Sequence, residues 1–173
     1  YRVDKDPFCK KDHVIPVQNG VIDLSGGRPV LREAYDDEMF DHVVQAEFIP
    51  NGQVPSLEGS CFEHFCETSL GSDPAKHRLL LEIIGYTLCN TVKGKSLFLL
   101  IGERDCGKSV VINLLAEMLP PDKITNFTLG QCGDNRNTQQ LCNACANLSG
   151  ENEEDSIKSI HILKACTGGD RIS

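Results

Sequence analysis

Gly102-Glu103-Arg104-Asp105-Cys106-Gly107-Lys108-Ser109 satisfies the spacing G-x-x-x-x-G-K-[ST] at every fixed position. A loop of this kind handles phosphate. Its backbone N–H groups and the start of the helix behind it converge on an anion, where aligned peptide dipoles present partial positive charge. Lys108 is the side chain that reaches the β- and γ-phosphates. The Ser109 hydroxyl is a ligand for Mg²⁺, whose other positions go to water, phosphate oxygens and a carboxylate. All eight residues from Gly102 to Ser109 are therefore assigned to a nucleoside triphosphate with its metal ion. A glycine turn that happens to carry Gly-Lys-Ser is the bland alternative, and the flanking sequence argues against it.

Such a loop works only between a strand and a helix. Ser96-Leu97-Phe98-Leu99-Leu100-Ile101 is a continuous apolar run of strand length, and the stretch from Val110 to Leu119 repeats its apolar positions as a buried helix does. Hydrolysis also needs a carboxylate at the end of a neighbouring strand, to hold Mg²⁺ through water and orient the attacking water. Cys145-Ala146-Asn147-Leu148-Ser149 reads as a weak strand leading into an acidic cluster. Glu151 is the first carboxylate after it and is the candidate, with Glu153 and Glu154 behind it. The competing reading of that cluster is a solvated acidic helix start, which the helix dipole favours by itself.

The preceding residues read as a separate unit. Val14-Ile15-Pro16-Val17 and Val21-Ile22-Asp23-Leu24 form a predicted hairpin joined near Asn19-Gly20, the pair that best tolerates positive φ. Ser25-Gly26-Gly27 turns the chain toward Pro29-Val30-Leu31, and Tyr35 to Glu47 is acidic and weakly patterned. Ser56 caps a predicted helix running to Ser69, with Leu57, Cys61, Phe62 and Phe65 on its apolar side. Asp73-Pro74 opens a second helix, ending near Asn90, with Leu79, Leu80, Ile83, Ile84 and Leu88 inward. The basic link Thr91-Val92-Lys93-Gly94-Lys95 sets the boundary between a hairpin-and-helical domain, 1–92, and the loop-bearing domain, 93–173. Pro120-Pro121 stops the loop helix, because proline lacks the amide donor and restricts the residue before it. A polar stretch from Thr128 to Gln140 follows, and Ser156 to Cys166 is the last predicted helix, closed by Thr167-Gly168-Gly169-Asp170.

Composition bounds the function. In 173 residues, 40% hydrophobic and 24% charged, no apolar stretch is long enough to span a bilayer, so no membrane partner is expected. A net charge of −8 excludes coating nucleic acid over the whole surface and leaves only local contacts. Nine cysteines, an odd number, fit reduced thiols and a cytoplasmic location better than a disulfide framework. Cys142-Asn143-Ala144-Cys145 lacks a second pair at zinc spacing, and Cys61, His64 and Cys66 sit among phenylalanines, so both sets read as structural thiols, with no metal site assigned. Because the first residue is Tyr1, the chain is expected to start inside a longer protein.

Taken together, Asn19-Gly20-Val21-Ile22-Asp23-Leu24, Phe48-Ile49-Pro50 with Pro55, Glu82-Ile83-Ile84-Gly85-Tyr86-Thr87-Leu88, the loop at 102–109, Ala146-Asn147-Leu148-Ser149-Gly150-Glu151 and Leu163-Lys164-Ala165-Cys166-Thr167-Gly168-Gly169-Asp170 resemble, in order, the C-terminal helicase half of phage and plasmid primase-helicases, a branch of the superfamily 3 helicases. The resemblance spans nearly the whole chain from Val14. It implies an α/β fold: an incomplete AAA+-like P-loop NTPase core preceded by a small hairpin and helical domain. The implied activity is that of an ATP-driven DNA helicase, using ATP and Mg²⁺ on single-stranded DNA, assembled as a homo-oligomeric ring, usually a hexamer, and fused to a primase module. By the same resemblance Lys108 and Ser109 contact phosphate and Mg²⁺, Glu151 activates water, and Lys164 leads toward a DNA-contacting hairpin. A helix C-terminal cation is the plainer reading of Lys164.

The chain departs from that family in three places. Arg104 stands where relatives commonly carry Gly, Cys106 where they carry Asn, and the chain stops at Ser173, before the family's polar sensor and its arginine that reaches a neighbour's ATP. If position 104 needs positive φ, Arg costs about 1 kcal/mol there relative to Gly. Weak hydrolysis is expected of the chain as it stands. Cys106, beside Lys108 at a helix N-terminus, is expected to react with alkylating reagents and to be protected by ATP. A P-loop kinase is less favoured because only Arg136 and Arg171 follow the loop, too few for an arginine-rich lid, and a GTPase because no N-K-x-D segment is present. A nucleotide-binding remnant or assembly scaffold that does not hydrolyse ATP is the non-enzymatic alternative.

Overall fold

Short β-branched runs at the start of the chain pair with one another, as their composition favours. β1 (Val14–Val17), β2 (Gly20–Asp23) and β3 (Val30–Arg32) form an antiparallel sheet in that order, with Val14 opposite Asp23 and Val21 opposite Arg32. This is a computed structural model, and it describes residues 13–50, 56–89, 94 and 96–150. Val17 opposite Gly20 makes Gln18-Asn19 the turn, one residue earlier than Asn19-Gly20. The reason lies outside the hairpin. The Asn19 side chain clasps Phe48, donating to its carbonyl (2.9 Å) and accepting from its amide (3.0 Å). Gly20, at φ +146°, passes so close to β3 that a Cβ would meet the Arg32 carbonyl at 2.7 Å.

The acidic segment after β3 is packed rather than loose. Val44 is buried and bridges Val17, its amide donating to the Pro16 carbonyl. Ile15, Val17 and Val44 make a small core, covered by Leu31, Phe48 and Leu88. Arg32 donates twice to Glu38, at 2.7 and 2.8 Å, and once to Asp23, at 3.0 Å.

Four α-helices follow among the described residues: α1 (Cys61–Leu70), α2 (Pro74–Leu88), α3 (Lys108–Met118) and α4 (Asn135–Asn143). α2 starts where its Asp-Pro signal places it, with the Asp73 carboxylate accepting from the Ala75 amide. α1 starts later than the Ser56 cap predicted. Gly59 turns at φ +73°, Ser60 caps the Glu63 amide, and the Glu63 carboxylate reaches back to the Gly59 amide. Ser60-x-x-Glu63 is thus the stronger N-terminal signal. Cys66, Leu80, Ile84, Val111 and Leu115 form one core from α1, α2 and α3, joining helices on both sides of the 92/93 boundary. The boundary itself falls outside the described residues. Leu80 and Ile84 are buried as expected, but Leu79, also expected inward, is 55% exposed, off the stripe those two define.

Beyond α3, Pro120 and Pro121 end the helix in one 3₁₀ turn, Pro121–Lys123. β4 (Ile124–Thr125) and β5 (Ala146–Asn147) then pair in parallel, with flanking bonds from the Cys145 amide to Lys123 and the Leu148 amide to Thr125. The architecture is mixed α/β, with a small antiparallel sheet and a parallel pair. Among the described residues the run 96–101 forms no ladder, where its sequence reads as a strand. Among the described residues, no helix is long and apolar enough to cross a membrane.

Candidate functional site

The loop between Ile101 and α3 folds over its own lysine. Lys108 Nζ donates to the carbonyls of Gly102 (2.9 Å) and Glu103 (2.5 Å) and lies 3.3 Å from Cys106 Sγ. Cys106 fills the loop interior, so that a Cβ on Gly102 would meet its sulfur at 2.5 Å. Glycine at 102 therefore serves close approach.

Gly107 serves conformation and approach together. It is left-handed (φ 91°, ψ 5°), and its carbonyl accepts the amides of Val110 and Val111 as α3 begins. A Cβ there would lie 2.6 Å from the Phe65 ring and 2.7 Å from Ser69 Oγ, so α1 is pressed against the loop's last glycine. Sequence reasoning missed both contacts. Phe65 was legible only as an apolar helix position, and Ser69 carried no signal. The other left-handed residue is Asp105, at φ 59°, so the expected strain falls there and not on Arg104. Aspartate tolerates this region better than most side chains. Arg104 and Asp105 project outward, 3.9 Å apart and almost fully exposed.

No side chain caps α3, no acidic residue occupies its first turn, and Ser109 is exposed beside Lys108. An N-terminus of this kind offers backbone donors and dipole charge to an anion. Lys108 also lines a cavity of about 550 Å³, whose walls include Leu97, Leu100, Val111, Leu148 and Gly150. Gly150 brings the chain to that wall. Glu151, Glu153, Glu154 and Lys164 lie outside the described residues.

A second polar cluster lies at the base of the β4–β5 pair. Asp41 bridges His42 Nδ1 (2.7 Å) and Lys123 Nζ (2.9 Å), and Cys145 Sγ lies 3.5 Å from both ring nitrogens of the buried His42. Equal distances to both nitrogens place the sulfur over the ring face, not in line with either nitrogen. Burial, reinforced by the Asp41 carboxylate, pushes the Cys145 thiol up to about 11, so it stays protonated at neutral pH. The cluster is a tie between the 41–45 segment and the sheet. The Gln45 amide adds to it by capping the Met118 carbonyl at the end of α3. Cys66, from the Cys61-His64-Cys66 group, is a core residue whose thiol is likewise raised by burial, while Cys61 is exposed.

No protein-family model matches this chain, and no curated protein matches it.

Proposed function

We propose that the chain is the ATPase part of a replication primase-helicase, with an AAA+-like P-loop core that couples ATP hydrolysis to movement on single-stranded DNA. The observation that carries the reading is the junction at Gly107-Lys108. There a left-handed glycine opens a helix without a side-chain cap, and the motif lysine is gathered over the loop. A bound triphosphate would take Lys108 in place of the Gly102 and Glu103 carbonyls, and the Ser109 hydroxyl would be a ligand for its Mg²⁺. Both side chains suit those roles: an ammonium with three donors, and an exposed hydroxyl next to it. Glu151, next in sequence to the cavity wall, orients the attacking water. A homohexameric ring, a fused primase module, strand contact through Lys164 and residence in the cytoplasm of a bacterial cell or phage-infected host complete the proposal.

A specific observation favours a second reading, nucleotide binding without turnover. The run leading into the loop has no strand partner among the described residues, and catalysis requires rigid support beneath the site. One experiment separates the two. Titration with a fluorescent ATP analogue is expected to give Mg²⁺-dependent binding that Lys108→Ala weakens roughly a hundredfold, the loss of a charge-assisted contact. Hydrolysis measured with and without single-stranded DNA then decides the rest: stimulation by DNA supports the motor, and binding with no turnover supports the remnant. Binding unaffected by Lys108→Ala overturns both.

A further inference from the structure

Cys106 and Lys108 stand on either side of the left-handed Gly107, and their side chains meet across that turn, Lys108 Nζ lying 3.3 Å from Cys106 Sγ. An ammonium has three donors. Two go to the Gly102 and Glu103 carbonyls, and the third is turned to the sulfur. Loss of that third proton leaves a nitrogen lone pair aimed at Sγ, with the other two N–H groups still holding the amine in place. Cys106 is only half-buried, so a small solute reaches it. The contrast with Cys145 is instructive. Its sulfur also has nitrogen neighbours, but the His42 ring turns its face to it, and no lone pair is in line. Cys66 lies among apolar core side chains.

We propose that Cys106 and Lys108 form an oxidation site, in which hydrogen peroxide joins Sγ to Nζ and so withholds the lysine from phosphate. Peroxide first oxidises the thiol to a sulfenic acid: its O–O bond breaks, one oxygen stays on sulfur and the other leaves as water. The Lys108 amine then attacks that sulfur. An S–N bond forms, the S–O bond breaks, and the hydroxyl departs as a second water with a proton from nitrogen, while the proton that made the amine an ammonium goes to solvent. Thiol and amine together lose two hydrogens, and one peroxide is reduced to two waters. Sulfenic acids are known to condense with nitrogen in this way and to be restored by added thiol. The bond follows from the geometry of the pair alone. Its consequence, loss of nucleotide binding, rests on the assignment of Lys108 to phosphate.

Peptide mass spectrometry after treatment with hydrogen peroxide, without nucleotide, tests the bond directly. Trypsin cuts after Arg104, Lys108 and Lys123, but a lysine bonded to sulfur is not cut. The expected product is a single peptide, 105–123, two hydrogens lighter than the same stretch uncut, which dithiothreitol returns to separate peptides. Cys106→Ser and Lys108→Arg are each expected to give none of it, and in Lys108→Arg the Cys106 sulfur should be oxidised onward to the sulfinic acid. Binding of a fluorescent ATP analogue is expected to weaken on peroxide treatment by roughly the hundredfold of Lys108→Ala, to recover with dithiothreitol, and to withstand peroxide in Cys106→Ser. Cys106 oxidised while Lys108 stays open to trypsin overturns the proposal, as does a linked peptide that persists in Cys106→Ser. A linked peptide with undiminished nucleotide binding upholds the bond and overturns the assignment of Lys108 to phosphate.

Discussion

Val14–Val17 and residues 96–101 are both short apolar stretches, yet one is a fully buried, paired strand and the other an exposed run with no strand partner among the described residues. Composition does not separate them. β1 has a partner three residues away through a tight turn, and a second at Val44, so its amides and carbonyls are satisfied locally. The loop-proximal run has no such neighbour in sequence; Gly102 and α3 follow it directly. A parallel strand depends on chain brought from afar by a crossover, whereas an antiparallel one can be made by a hairpin. The hairpin region therefore stabilises itself, and the loop region depends on what is placed beside it.

Breaking the self-sufficient region should cost most. The Glu38 side chain is only 1% exposed and takes the Arg32 guanidinium in two bonds, so Arg32→Ala removes the cation from a buried carboxylate. Urea unfolding is expected to show a loss of about 3 kcal/mol. A direct contrast comes next. Val21→Ala, at a 2% exposed position of β2, is expected to lose about 2 kcal/mol. Leu99→Ala, at a 63% exposed position, should change stability by less than about 0.5 kcal/mol. Equal losses at the two positions would end the comparison.

The smallest effect is expected from acid. Hydrogen bonds from Ser25, then Arg32, hold the Asp23 carboxyl well below its ordinary 3.8. At Asp41 burial opposes the shift, but hydrogen bonds from His42 and Lys123 outweigh it and lower that carboxyl too. Groups with depressed folded values stabilise fully above their unfolded value and lose the contribution as pH falls through the folded one. Stability is therefore expected to hold from neutral pH to about 4 and to decline below it, read as a falling Tm. Asp41→Asn should flatten part of that decline. An identical profile in the variant would remove Asp41 from the account.

Local chemistry was legible wherever a signal acts over a few residues. Asp73-Pro74 marked the start of α2, Pro120-Pro121 the end of α3, and Gly102 to Ser109 the loop with its left-handed Gly107. α4 was not foreseen, because Asn135–Asn143 is almost wholly polar and carries no apolar stripe; its only cue was the Asp134 cap on the Arg136 amide. The hairpin turn was legible near Asn19-Gly20, but not the contact that holds it at Gln18-Asn19, since Phe48 lies 29 residues from Asn19. Distance along the chain also hid the tie from Asp41 to Lys123, 82 residues apart.

By itself the sequence determined the hairpin, the glycine turn at Gly107, the start of α2 and the end of α3, because steric limits on φ, missing donors and capping oxygens act within a turn of chain. Tertiary structure alone decided that Phe65 and Ser69 press on Gly107, that Leu79 is left exposed, and that 96–101 has no strand partner among the described residues. Packing and strand pairing depend on which surfaces meet, and a run of apolar residues specifies only that it must be covered, not by what.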